Sequence, residues 1–278
     1  MSRVYDAVVV GTDGSPTSCR AVQRAALLGE ALGAEVAVVT AYDRPSEGEV
    51  GPASERASMP QESMVSSGYR AATDTAADAA RFGQEVAPSA KVDIVAVEGN
   101  PAEVLIETAY RRGDALLVVG NQGMTGSQRF LLGSVPNKIS HHAAGDVLIT
   151  HTSSDTPVRP HQRVLIGTDG SDTAKLAVDR GLSLAAALEA KVTLLSAGSR
   201  AEGVLEEAAE AAKKAGVDVT CVASSDEPAD AIVSAAEDHD LVVVGNKGMT
   251  GAGRFLLGSV PNKVSHHVGA DLLIVRTT

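Results

Sequence analysis

The chain has 278 residues, 44% of them apolar but only 3% aromatic and none Trp, so its cores must be built from Ala, Val, Leu and Ile. That is material for two ordinary domains of helices laid closely on a parallel sheet. A formal net charge of −11 disfavours a general nucleic-acid or anionic-membrane surface, yet leaves room for a local anion site made of backbone donors.

Arg3–Gly11, with Val8-Val-Val10, reads as a buried strand, and Pro16 to Gly33 as a helix with Pro in its first turn and Gly at its end. Glu35–Ala41 is a second strand, and 43–60, rich in Pro, Gly, Ser and Glu, an exposed loop. Gln61–Val86 is a long helix, Lys91–Val97 a third strand, Pro101–Arg112 a helix and Asp114–Gly120 a fourth strand. A glycine-rich loop follows, then a helix from Val135 to Ala144 and a last strand, Asp146–Thr150. The start lacks a secretory leader's long apolar core, no apolar run reaches membrane-spanning length, and Cys19 and Cys221 suggest neither disulfides nor a metal site. A cytoplasmic protein is expected, with no membrane and no nucleic acid among its partners.

The order then repeats. Val10-Gly-Thr-Asp-Gly-Ser15 returns as Ile166-Gly-Thr-Asp-Gly-Ser171, and Gly120-Asn-Gln-Gly123 through Gly133-Ser134 returns as Gly245-Asn-Lys-Gly248 through Gly258-Ser259. Two domains, 1–152 and 162–278, are expected about a linker, 153–161. The second copy lacks the long connection after its second strand; its matching helix is placed at Arg200–Ala215, with Gly216 as C-cap.

Strands alternating with helices predict two doubly wound, five-stranded parallel-sheet α/β domains, since crossovers are right-handed. Ligands of such sheets sit beyond the carboxyl ends of the strands, where the strand order reverses. Gly11-Thr-Asp-Gly-Ser15 follows the first strand and the glycine loop follows the fourth. Those strands are neighbours across the reversal in the common orders, so two distant turns are predicted to share one crevice. The loop's spacing, Gly-x-x-Gly, nine residues, Gly-Ser, is neither a P-loop nor a dinucleotide fingerprint. Its glycines would bring backbone N–H groups to phosphates. Ser134 would cap the next helix or donate its hydroxyl, and Arg129 and Arg254 would add charge.

On these motifs the chain resembles the universal stress protein family over nearly its whole length, in the tandem two-domain class. The resemblance implies a Rossmann-like, adenine nucleotide alpha hydrolase-like fold, an internal pseudo-dimer paired through the last strands, and ATP in the crevice, with Mg2+ as an optional companion. Carried over, Thr12 and Asp13 would face the adenosine part, with Gly14 and Ser15 in the same cofactor-binding set, and Ala41 would offer backbone to adenine. Gly120, Gly123, Gly133, Ser134 and Val135 would wrap ribose and phosphates. In the second copy the set is Thr168, Asp169, Gly170, Ser171, Ala197, Gly245, Gly248, Gly258, Ser259 and Val260. The second copy lacks the connection that would close over a nucleotide in the first.

Asp13 and Asp169 are also read as helix N-caps, Cys19 as a packed helix residue, Lys138 and Lys263 as solvated, and Arg111-Arg112 as a solvated face. His141-His142 and His266-His267 are read as structural residues at helix ends, where a cation suits the dipole. No catalytic base or metal set is evident, so the expected role is regulatory: nucleotide-dependent conformation or partner choice. The alternatives are a ligand-free dimerisation scaffold, or a slow ATPase or adenylyl-transfer enzyme. A homodimer on top of the internal pairing is left open.

Overall fold

The computed structural model describes residues 3–43, 61–121, 132–151, 157–247 and 257–277. The first half runs β1 (Ala7–Gly11), α1 (Pro16–Leu32), β2 (Glu35–Tyr42), α2 (Gln61–Val86), β3 (Lys91–Glu98), α3 (Pro101–Tyr110), β4 (Ala115–Gly120), α4 (Ser134–His142) and β5 (Val147–Thr150). The second runs β6 (Arg163–Gly167), α5 (Asp172–Ala187), β7 (Lys191–Ala197), α6 (Ala201–Lys214), β8 (Val219–Ser224), α7 (Pro228–Ala235), a 3-10 turn (Ala236–Asp238), β9 (Leu241–Gly245), α8 (Ser259–His267) and β10 (Asp271–Val275). None of the described helices is long and apolar enough to cross a membrane.

The strands form one sheet in the order β3-β2-β1-β4-β5-β10-β9-β6-β7-β8. Neighbours within each half are parallel, and β5 meets β10 antiparallel, Leu148 opposite Leu273. The two five-stranded units therefore join edge to edge into one ten-stranded sheet. Successive strand residues point to opposite faces, which gives two cores. Val8, Val10, Leu116 and Val118 pack under α1, α2, α5 and α6. Ala7, Val9, Leu117 and Val119 pack under α3, α4, α7 and α8. Ala and Val dominate both, so the helices approach closely without aromatic bulk.

β1 is shorter than the apolar pattern suggested. Tyr5, fully buried, turns to donate its hydroxyl to Asp146 at 2.8 Å, and the ladder to β4 begins only at Ala7. That bond belongs to a seam between the halves. Buried Asp146 also accepts from the Arg276 amide at 2.7 Å and stands 3.1 Å from Arg180 Nε. Arg180, from α5, covers the Tyr5 ring at 4.7 Å and pairs with Asp114 at 3.0 Å. The equivalent place in the second half holds Asp271, which accepts from the His151 amide at 2.8 Å, lies 2.8 Å from His161 Nε2 and stands 2.6 Å from Arg24 Nε of α1. His161, inside the expected linker, is thus 1% exposed.

The two carboxyls differ in acidity. Burial is the largest influence on both, and it wins at Asp146, whose pKa is raised against the pull of the Arg276 amide, Tyr5 and Arg180. At Asp271 burial is outweighed by His161, Arg24 and the His151 amide together, and the carboxyl is held below its ordinary value.

Candidate functional site

Each half brings a turn and the two ends of its glycine loop to one edge of its sheet. β1 and β4 are parallel neighbours, Val10 beside Val118, so the turn after Gly11 and the segment after Gly120 both leave the carboxyl edge. In the second half β6 and β9 are paired the same way, Ile166 beside Val243.

The first turn is held by its own side chains. The Thr12 amide donates to Val39 O at 2.9 Å, which ties the turn to β2. Gly14 has φ +76° and its amide donates to Thr12 Oγ1 at 3.2 Å. The Asp13 carboxylate accepts from the Ser15 amide at 3.0 Å and the Ser15 hydroxyl at 2.5 Å. Ser15 Oγ then accepts from the Ser18 amide at 3.2 Å and caps α1. The second half repeats this: Thr168 N to Leu195 O at 2.9 Å, Gly170 at φ +76°, Ser171 N and Oγ to Asp169 at 3.0 and 2.6 Å, and Ala174 N to Ser171 Oγ at 3.1 Å. The caps are therefore Ser15 and Ser171. The aspartates expected there act one step back, fixing the serines, because the left-handed glycine between them brings Asp and Ser into bonding range.

The glycine loop is clasped at its ends. The Asn121 amide donates to Thr150 O and the Gly133 amide to Asn121 O, each at 3.0 Å; Asn246, Val275 and Gly258 do the same at 2.9 Å. Gly133 and Gly258 are the N-caps of α4 and α8 and supply no side-chain oxygen. Ser134 and Ser259 are the first helical residues and are exposed. Neither serine makes the capping bond expected of Ser134, so among the described residues no side-chain oxygen caps the start of either helix.

The sequence profile of the universal stress protein family matches residues 5–151 and again 160–276. The chain belongs to the universal stress protein family. Universal stress protein Rv1636 of Mycobacterium tuberculosis is 36% identical over 151 residues, which are 54% of this chain and 98% of that protein. Rv2623 of the same organism is 32% identical over 186 residues, 59% of this chain and 62% of that protein. In solved structures, a universal stress protein from Archaeoglobus fulgidus superposes with a TM-score of 0.77 at 17% identity, covering 98% of this chain and 99% of the other, a likeness of fold.

In this universal stress protein, Thr12, Asp13, Gly14, Ser15, Gly120, Gly133, Ser134 and Val135 are all placed at the carboxyl edge of the first half. Thr168, Asp169, Gly170, Ser171, Gly245, Gly258, Ser259 and Val260 share the edge of the second. Ala41, next to the last residue of β2, and Ala197, the last of β7, end adjacent strands on those same edges. Gly123, Arg129, Gly248 and Arg254 lie outside the described residues.

Lys138 and Lys263 are not simply solvated: they pair with Glu103 at 2.8 Å and Asp230 at 2.6 Å, tying α4 to α3 and α8 to α7. Arg112, also read as solvated, reaches Asp93 at 2.5 Å from β3 and Glu35 at 3.5 Å from β2. Cys19 packs partly buried against the first core, and burial, then Asp13 and Asp78, push its thiol pKa up. Sequence reading passed over Lys247, which is only 9% exposed two residues past β9 and, among the described residues, has no carboxylate paired with it. Its carbonyl accepts from Thr173 Oγ1 of α5 at 3.3 Å. The signal was available: Lys247 occupies the place of Gln122 in otherwise near-identical loops.

Proposed function

We propose that this universal stress protein is a regulatory protein that binds an adenine nucleotide, ATP, at the carboxyl edge of one or both halves. The observation that carries the reading is the meeting, at one sheet edge, of a left-handed glycine turn and a helix start that has no side-chain cap among the described residues. The backbone amides that open α4 and α8 meet no side-chain cap among the described residues, and the helix dipoles favour negative charge there. Thr12 and Thr168 fix the adenosine-side turns. Gly133, Ser134 and Val135, and Gly258, Ser259 and Val260, supply the phosphate side. Ala41 and Ala197 offer strand-end backbone to the base. An Mg2+ ion would share the phosphates' charge, leaving the protein donors to orient them.

Binding is favoured over turnover because the acidic group of each turn is already engaged. Asp13 and Asp169 each accept two hydrogen bonds from their own Ser15 and Ser171, an arrangement suited to holding shape rather than to taking a proton from water. Calorimetric titration with Mg·ATP, and mass spectrometry of small molecules released by heat, test the reading. Up to two nucleotides per chain are expected, and the double variant Gly14→Val, Gly170→Val should bind none while keeping its helical circular dichroism. Full ATP affinity in that variant, or no nucleotide at all on the wild-type chain, would rule the proposal out.

A further inference from the structure

The antiparallel seam sets the carboxyl edge of one half beside the amino edge of the other. α4 leaves the first crevice at Ser134 and returns toward the amino end of β5, so its nine residues, about 13 Å of helix, run toward the edge on which the second crevice opens. At its far end, His141 Nδ1 accepts a hydrogen bond from the Leu257 amide of the second half at 3.3 Å. Leu257 immediately precedes Gly258, the N-cap of α8, and Gly258 is itself pinned to Asn246 O at 2.9 Å. Leu257 and Val260 also pack on the same apolar core as Ile139 of α4. The exit of the second glycine loop is thus gripped by the helix that starts in the first crevice. The mirror residue, His266, has its Nδ1 buried with no hydrogen-bond partner among the described residues, so only one of the two equivalent grips is made.

We propose that His141 is a positioning residue for the second nucleotide crevice, holding the Leu257-Gly258-Ser259 backbone so that the α8 amides meet the phosphates. This rests on the nucleotide reading above. It makes the second crevice depend on a residue of the first half, in one direction.

The test measures Mg·ATP affinity in two backgrounds: Gly14→Val, which reports the second crevice alone, and Gly170→Val, which reports the first. In the Gly14→Val background His141→Leu should weaken ATP about five-fold, the loss of one net hydrogen bond. His141→Asn, whose Oδ1 replaces the Nδ1 acceptor, should restore affinity to within about two-fold. In the Gly170→Val background His141→Leu should change nothing. Unchanged affinity at the second crevice, or an equal loss in both backgrounds, overturns the proposal, whereas a wild-type chain that binds no ATP overturns the nucleotide reading and this inference with it. Hydrogen exchange without nucleotide supplies a second measurement. His141→Leu should speed exchange locally at the Leu257 amide; unchanged exchange, or a rise spread over the whole chain, counts against a positioning role.

Discussion

Replacing the two seam carboxylates by their amides should give unequal losses of stability. Asp271→Asn removes the negative charge from a site where the Arg24 side chain is 13% exposed and His161 1%. The Arg24 guanidinium then loses the carboxylate that balances it in a largely dry setting, a change that costs about 3–5 kcal/mol. Asp146→Asn is milder. Arg180 keeps Asp114 at 3.0 Å and the Tyr5 ring at 4.7 Å, and the amide oxygen still accepts from Tyr5 or the Arg276 amide. Its cost is about 1–2 kcal/mol. For a chain of this size that is a fall in Tm of roughly 6–12 °C for Asp271→Asn against roughly 2–5 °C for Asp146→Asn. Thermal melts followed by circular dichroism at pH 7 measure both. Acid should move the two penalties in opposite directions. Asp271 has a lowered pKa in the fold, so its contribution is present above the ordinary carboxylate value and is lost as pH falls through the folded one. Asp146 has a raised pKa, so its contribution is full below the ordinary value and is lost as pH rises through the folded one. The Asp271→Asn penalty should therefore shrink on acidification while the Asp146→Asn penalty grows. Equal penalties at pH 7, or both moving the same way with pH, would refute the charge accounting given for the seam.

Two further outcomes test the turns and the loop. Gly14→Ala and Gly170→Ala both force a side chain onto φ +76°, but the new Cβ at Gly170 meets Val204 Cγ2 at 2.8 Å, against 3.0 Å to Thr75 Cγ2 at Gly14. Urea unfolding should show losses of about 1–2 kcal/mol for the strain alone, with Gly170→Ala the larger. Lys247→Gln, which gives the second loop the first loop's residue, should weaken Mg·ATP at the second crevice about ten-fold at low ionic strength, and by much less in 1 M KCl. A salt-independent effect would show that Lys247 acts by shape and not by charge.

The strands and most helices were legible because their signals are local. Val8-Val-Val10, Ala115-Leu-Leu-Val-Val119 and Leu241-Val-Val-Val244 are buried runs, and Pro16 and Gly33 mark the ends of α1, Gly33 as a left-handed C-cap at φ 62°. The duplicated loops carried the family and, through it, the pairing of last strands. What escaped depends on partners remote in sequence. Nothing near Tyr5 announces that Asp146 will shorten β1, and nothing near His161 announces that Asp271 will draw the end of the linker into the core. The choice between Asp13 and Ser15 as cap was a matter of geometry: Gly14 turns the chain so that the serine, not the aspartate, reaches the open helix amides. Lys247 was missed because a lone lysine in a glycine loop reads as solvated until its burial is known.

Joining β5 to β10 within a single polypeptide has a consequence for assembly. Two separate chains that met along those strands would part on dilution. Here the tether keeps the mating edges at a high effective concentration whatever the abundance of the protein. Among the described strands neither inner edge is left as a template for a stray strand, and β3 and β8 stand at the rims of the sheet.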